Sequence, residues 1–314
     1  MTAPDAGQPR VLVAFPTFRR SELLPALVES IRADASTVDA MVRILAVDND
    51  PAASAADAAR ALGIEHHHEV VPGIAAARQA ALDAAAPGEL LAMIDDDVVP
   101  EPGWLAGLLR TRRASGASIV SGYVRYVWPQ DTDPWIAAGG FMRRDRHPEG
   151  AELSTLSTGN VLLDVDQLRA LGVHFDISLG LTGGEDSQFG RDVLAAGGSI
   201  VASADSVVRD DVPRARTTRE FVRRRTIAQG QGLVRLCSRD ALAHRRLAKR
   251  ALHLAGGVGR LVAFSAGAGW ARARRDVASH AVLQRRSWFA WGRVLGAVGH
   301  HDEAYGRDPL PDAR

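Results

Sequence analysis

Short apolar runs, parted by polar turns and amphipathic stretches, recur along residues 10–127. Val11–Phe15 is continuous and apolar, as a buried strand is. It breaks at Pro16-Thr17-Phe18-Arg19-Arg20, a turn, after which Ser21 is placed to cap a helix. Leu23, Leu24, Leu27, Val28 and Ile31 of that helix follow the 3.6-residue period. Val42–Val47 predicts a second strand closed by Asp48-Asn49-Asp50-Pro51. An Ala-rich helix over about 53–62, a weak strand around His68–Val71 and a second Ala-rich helix from Pro72-Gly73 to Ala86 follow. A strand at 89–94, an acidic turn running into Val98, Val99 and Pro100, a helix near 101–115 and a strand at 118–127 complete the alternation.

Repeated βα units predict an α/β fold, a doubly wound and mostly parallel sheet covered by helices. Ligands bind such sheets at the carboxyl ends of their strands. Thr17, Arg19, Asp48, Asp50 and Asp95-Asp96-Asp97 all stand there. Beyond 128 the pattern loosens. Ser157-Thr158-Gly159-Asn160 precedes a short strand at 161–163 and a helix to Leu171, and Gly183-Gly184-Glu185-Asp186 opens a helix to Ala196. From Thr217 the pattern is helical and dense in arginine. The predicted organisation is a disordered tail at 1–9, an α/β domain at 10–235 and a basic helical region at 236–314.

Charge adds an asymmetry that the net value of +1 conceals: between Arg214 and Arg293 there are 19 Lys/Arg against Glu220, Asp240 and Asp276. Cys237 is the single cysteine, which excludes an intramolecular disulfide and a cysteine-built zinc site. With no charged-then-apolar leader and no apolar stretch of spanning length, a cytoplasmic protein is expected.

The acidic triplet carries the most chemistry. Three adjacent carboxylates repel one another unless a cation or bound ligand offsets them. Side chains alternate on extended backbone, so Asp95 and Asp97 face one way and could flank a divalent ion. Ninety residues on, Glu185-Asp186 forms a second acidic site at a helix start. His66-His67-His68 is read as a surface cluster on an edge strand, away from the loops.

Taken in order, Val13-Ala14-Phe15-Pro16-Thr17-Phe18-Arg19-Arg20, Ala46-Val47-Asp48-Asn49-Asp50, Pro72-Gly73-Ile74 with Arg78, Ile94-Asp95-Asp96-Asp97, Thr158-Gly159-Asn160 and Gly183-Gly184-Glu185-Asp186 resemble the family 2 glycosyltransferases, over roughly residues 10–235. The resemblance implies a GT-A fold, a nucleotide-sugar donor, Mn²⁺ or Mg²⁺, and inversion at the anomeric carbon. It further implies that Pro16, Thr17, Phe18 and Arg19 border the donor nucleoside, and that Asp48 accepts from the base imide. That contact suits uracil or thymine and is also open to guanine.

By the same resemblance Arg78 offsets charge and orients the acidic loops, Asp95 and Asp96 meet the ribose or second shell, and Asp97 with Asp95 holds the metal. Asp210 stands where many members have a metal-binding histidine. Asp186 is implied as general base with Glu185 beside it. Arg224 and Arg225 resemble residues that some members place near the diphosphate. The Gln-x-x-Arg-Trp signature of processive synthases is missing, which favours transfer of one sugar. The implied acceptor is a glycan, a lipid-linked sugar or a small molecule.

The basic region allows two readings. Leu247, Ala251, Leu254, Val258 and Leu261 make a helical stripe among arginines, with Trp270, Trp288, Phe289 and Trp291 further on. Such helices suit the inner, anionic face of a membrane as a peripheral contact, or packing on the core or on a second subunit. No recognised nucleic-acid module accompanies the charge, so no nucleic-acid partner is expected. Asp95-x-Asp97 also imitates the nucleophile motif of haloacid-dehalogenase-like phosphotransferases. That chemistry wants a later lysine, and the sole lysine, Lys249, lies in the basic tail. A non-catalytic binder of nucleotide-sugars or membrane surfaces is the remaining alternative.

Overall fold

The computed structural model describes residues 8–142, 144–180, 183–238 and 243–300, without the side chains of 243–246. Most of the expected 1–9 tail and part of the glycine-rich loop before Glu185 lie outside the described residues. Two compact units are present. One comprises residues up to 125 with 144–180 and 185–210; the other comprises 126–143, 181–184 and 211 onward. The division therefore falls near 210, not at the 235 expected from the sequence, because the helix at 219–238 packs with the two helices that follow it.

Eight strands form one sheet in the order β3-β2-β1-β4-β7-β6-β8-β5. The parallel part comprises β1 (Arg10–Thr17), β2 (Met41–Asp48), β3 (Glu65–His68) and β4 (Glu89–Ile94). These are the units whose connections are long enough to carry a helix back across the sheet. The rest adds antiparallel pairs: β7 (Asn160–Asp164) beside β4, β6 (Ile119–Val127) beside β7, and β5 (Val98–Pro100) beside β8 (Ile200–Asp211). The parallel half thus carries the Rossmann-like character expected, and the sheet as a whole is mixed. Two strands escaped the sequence reading. β5 is three residues long and read as a turn, while β8 contains Asp205, Ser206, Arg209 and Asp210, which dilute its apolar signal.

The helices fall close to their predicted positions: α1 (Leu24–Ala35), α2 (Ala56–Leu62), α3 (Ile74–Ala84), α4 (Trp104–Ser115), α6 (Val165–Ala170) and α7 (Glu185–Ala195). Ser21 does not cap α1; it opens a 3₁₀ turn over Ser21–Leu23, and Leu23 takes the cap position with no side-chain bond. The weak strand lies at 65–68 and not at 68–71, since Asn49 draws the carbonyls of Glu69 and Val71 into the loop. Leu12, Leu45, Leu91, Met93, Val161, Leu163, Phe175 and Phe189 are buried in one cluster, with the last two rings stacked at 4.0 Å. Asp34, buried at the end of α1, accepts from the N–H groups of Gly103 and Leu105 and caps α4 from another helix.

In the second unit α5 (Pro134–Ala138), α8 (Arg219–Ser238) and α10 (Val277–Ala297) pack around Trp135, Phe141, Val222 and Trp288, and α9 (Ala243–Ala273) packs on α10 and α8. Among the described residues no helix is long and apolar enough to cross a membrane.

Candidate active site

The strand ends of the sheet unit converge as expected, but the side chains divide the work differently. Pro16 is buried within β1, paired with Val47. Thr17 ends that strand, and its Oγ1 donates to Asp96 Oδ2 at 2.9 Å. Phe18 and Arg19 follow at the surface, with the guanidinium 4.9 Å from the ring centroid. Arg19 adopts a left-handed backbone (φ 55°), uncommon for a side chain of its size, and its Nε donates to Asp50 Oδ1 at 3.2 Å.

Asp48 is assigned a different task from the base contact implied by the resemblance. It has no exposed surface. Oδ1 accepts from Asp50 N at 3.0 Å and Oδ2 from Ala55 N at 2.7 Å, so the carboxylate shapes the 48–55 loop. The histidines lie on the edge strand β3, with His67 and His68 exposed as expected, but they stand beside this loop and not away from it. His66 Nε2 lies 3.4 Å from Asp48 Oδ2, and His68 Nε2 lies 2.9 Å from the carbonyl of Asp50. Parallel pairing of β3 with β2 in the register Asp48↔His68 puts the histidines beside the acidic loop.

Arg20, which the sequence reading left without a role, is the counter-charge of the triplet. Its Nη1 lies 3.1 Å from Asp96 Oδ1 and 3.2 Å from Asp97 Oδ2. Asp96 is buried. Desolvation pushes its carboxyl up to about 7 against the pull of Arg20 and the Thr17 hydroxyl, and the charge of Asp97 adds to the rise. Asp95 and Asp97 are more open, with side chains 36% and 22% exposed.

Arg78, buried on α3, joins the two acidic loops. Nη1 donates to Glu185 and Nη2 to Asp95 Oδ1 at 3.1 Å. Glu185 is buried with its Oε2 unbonded among the described residues, and burial raises its pKa despite Arg78. Asp186 is half-buried in the first turn of α7, and its Oδ1 accepts from Ser187 N. Gly159 allows close approach: a Cβ there would lie 2.6 Å from Asp95 Oδ2. The following Asn160 is structural, accepting from Trp104 Nε1 at 2.7 Å and donating to the carbonyls of Tyr123 and Ser206.

Asp210 is paired in register with Val98, next to Asp97, and is buried. Among the described residues no three carboxylate, imidazole or thiol groups gather as a ready-made metal cage, so Asp95, Asp97 and Asp210 do not form the expected trio in this state. Asp95 is turned to Arg78, and Asp97 to Arg20. Arg225 belongs to the helical unit, exposed on α8, where it lines a small cavity with Thr226, Gln229, Phe141 and Arg285.

Residues 12–172 match the family model described as "Glycosyl transferase family 2". The chain belongs to that family. The succinoglycan biosynthesis protein ExoM of Rhizobium meliloti (strain 1021) is 33% identical over 231 residues, which cover 72% of this glycosyltransferase and 74% of ExoM. A solved structure of similar fold is the mannosyltransferase PcManGT from Pyrobaculum calidifontis in complex with GDP-Man and Mn²⁺. It has a TM-score of 0.63 at 20% identity, covering 93% of this chain and 88% of that one. The GT-A fold of this family 2 enzyme agrees with the parallel half-sheet and the strand-end site. Its membership sets aside the phosphotransferase and non-catalytic readings; Lys249, the one lysine that dehalogenase-like chemistry could use, lies on α9 in the helical unit.

Proposed function

We propose that the enzyme transfers a single sugar from a nucleoside-diphosphate donor to an acceptor hydroxyl with inversion, Asp186 serving as general base. The observation that carries this reading is the unequal environment of two adjacent carboxylates. Glu185 is buried on Arg78, whereas Asp186 is half-exposed in the first turn of α7. An acceptor hydroxyl attacks well only if its proton is accepted as the new bond forms. Asp186 can be reached by an acceptor and Glu185 cannot. The acceptor oxygen bonds to the anomeric carbon, the proton passes to Asp186, and the electron pair of the breaking bond leaves with the nucleoside diphosphate.

Phe18 and Arg19 are proposed to border the donor base and Thr17 the ribose side, while Arg78 fixes Asp95 against Glu185. Mg²⁺ and Mn²⁺ are commonly held by one or two carboxylates together with substrate phosphates and water. The partly exposed carboxylates of Asp95 and Asp97 fit that donor chemistry. When bound, such an ion neutralises charge developing on the departing diphosphate. The Mn²⁺ and GDP-Man complex of the similar mannosyltransferase favours both elements. Asp48 is closed into its loop, so uridine, thymidine and guanosine donors all enter the screen.

The test is a panel of UDP-, dTDP- and GDP-sugars with Mn²⁺, reading nucleotide release and binding, with Asp186→Asn in parallel. Donor affinity in the variant is expected to stay near wild type while transfer falls by about 10²–10⁴. Near-normal turnover in a well-folded Asp186→Asn would remove this residue from the mechanism.

A further inference from the structure

α9 is apolar on two opposite sides, and its own unit covers one of them. Ala268 and Ala271 are buried, a Cβ on Gly257 would lie 3.0 Å from Val294 of α10, and Ser265 and Ser287 bond at 2.8 Å. The opposite side carries Leu252, Ala255, Val258, Val262, Ala266 and Trp270, spaced three or four residues apart and all exposed. Leu252, Val262 and Trp270 are 73%, 65% and 64% exposed. This stripe runs for about 29 Å at 1.5 Å per residue. No charged side chain interrupts it. Arg260, the one Lys/Arg/Asp/Glu within 251–270, lies off the stripe on the helical wheel, and the Arg274 guanidinium sits 4.5 Å from the Trp270 ring centroid at its end.

An uncharged exposed face of this length is unusual on a monomer and marks a surface that meets another phase or partner. Charge selects between occupants. Between Leu247 and Val298 nine Lys/Arg stand against one acid, Asp276. A second copy would bring the same positive charge to the contact. A nucleic acid would satisfy the arginines and leave the stripe wet. An anionic bilayer surface satisfies both, and α9 is not apolar enough to cross one.

We propose that α9 lies flat on an anionic membrane surface, with the 252–270 stripe sunk to the headgroup–acyl boundary and the flanking Lys249, Arg260 and Arg274 on lipid phosphates. This surface lies in the helical unit, so its failure would leave the transfer reading intact.

The test is flotation of the full-length protein with phosphatidylglycerol–phosphatidylcholine vesicles and with pure phosphatidylcholine vesicles. Wild type is expected to float with the anionic vesicles, less so at high salt, and to ignore the neutral ones. Val258→Glu with Val262→Glu should cut partitioning at least about tenfold at unchanged melting temperature, since both side chains are exposed. Should that double variant melt early, Trp270→Ala carries the same expectation. Absent binding by wild type, binding unaffected by these variants, or a wild-type dimer that the variants split into monomers would each overturn the proposal.

Discussion

Arg78 and Glu185, 107 residues apart in the chain, form an ion pair buried on both sides. The same guanidinium reaches Asp95, so one side chain ties the acidic triplet to the start of α7. Arg78→Met should destabilise the protein by about 3–5 kcal/mol, because the buried carboxylate of Glu185 loses its partner in a poorly solvated place. Glu185→Gln removes the buried charge but keeps a polar group, and should cost less. Urea unfolding of the two variants checks the order; equal midpoints would mean the pair carries little of the local stability.

Arg20 occupies one of the two oxygens, Oδ2, that a cation would use on Asp97. Arg20→Ala should therefore tighten Mn²⁺ binding to the nucleotide-free protein by about ten- to a hundredfold, the equivalent of removing a charged hydrogen-bond competitor worth about 1.5–3 kcal/mol. Asp97→Ala should abolish Mn²⁺-dependent nucleotide affinity. Calorimetry distinguishes the outcomes, and weaker Mn²⁺ binding in Arg20→Ala would contradict this view of the triplet.

Asp34 caps α4 across the interface between two helices, at 2.6 Å to Gly103 N and 2.7 Å to Leu105 N. Asp34→Ala leaves both N–H groups unmet and should cost about 1–3 kcal/mol. Asp34→Asn, which still accepts, should recover part of it. Thermal melts of the two variants provide the comparison.

Glu89 is bound by Arg43 through two of its three side-chain nitrogens, Nε at 2.8 Å and Nη2 at 2.6 Å. Burial pushes its pKa up, but the Arg43 hydrogen bonds, the Ala86 N–H and the guanidinium charge outweigh it and hold the carboxyl below its ordinary value. A carboxylate with a depressed folded pKa contributes stability above its unfolded pKa of about 4.3 and loses it as pH falls through the folded value. Glu89→Gln should lower the melting temperature clearly at pH 7, and the gap to wild type should close in acid below the folded pKa. A gap that persists or widens in acid would show that packing, not charge, holds this site.

What can be read along the chain is local. The 3.6-residue period placed the helices of the sheet unit, and continuous apolar runs placed β1, β2 and β4, nearly where they stand, and turn residues after those runs put Thr17, Asp48 and Asp95 at strand ends. The resemblance gathered those turns into one family, and the match over 12–172 agrees. Periodicity does not encode pairing between distant segments. Only the folded sheet brought His66 and His68 beside the acidic loop, closed Asp48 onto the backbone of Asp50 and Ala55, and set Asp210 opposite Val98.

Arg20 and Arg19 are adjacent and identical in type, yet one meets Asp96 and Asp97 while the other meets Asp50, a split decided by the left-handed turn at Arg19. Likewise α9 reads as one apolar stripe through Leu247, Ala251, Leu254, Val258 and Leu261 among arginines. Which side is covered depends on where α10 lies, and only packing left the stripe from Leu252 to Trp270 exposed. Helical propensity, turn chemistry and charge act over a few residues and are written in sequence order. Burial and ion pairing act through space, and are settled when the chain has folded.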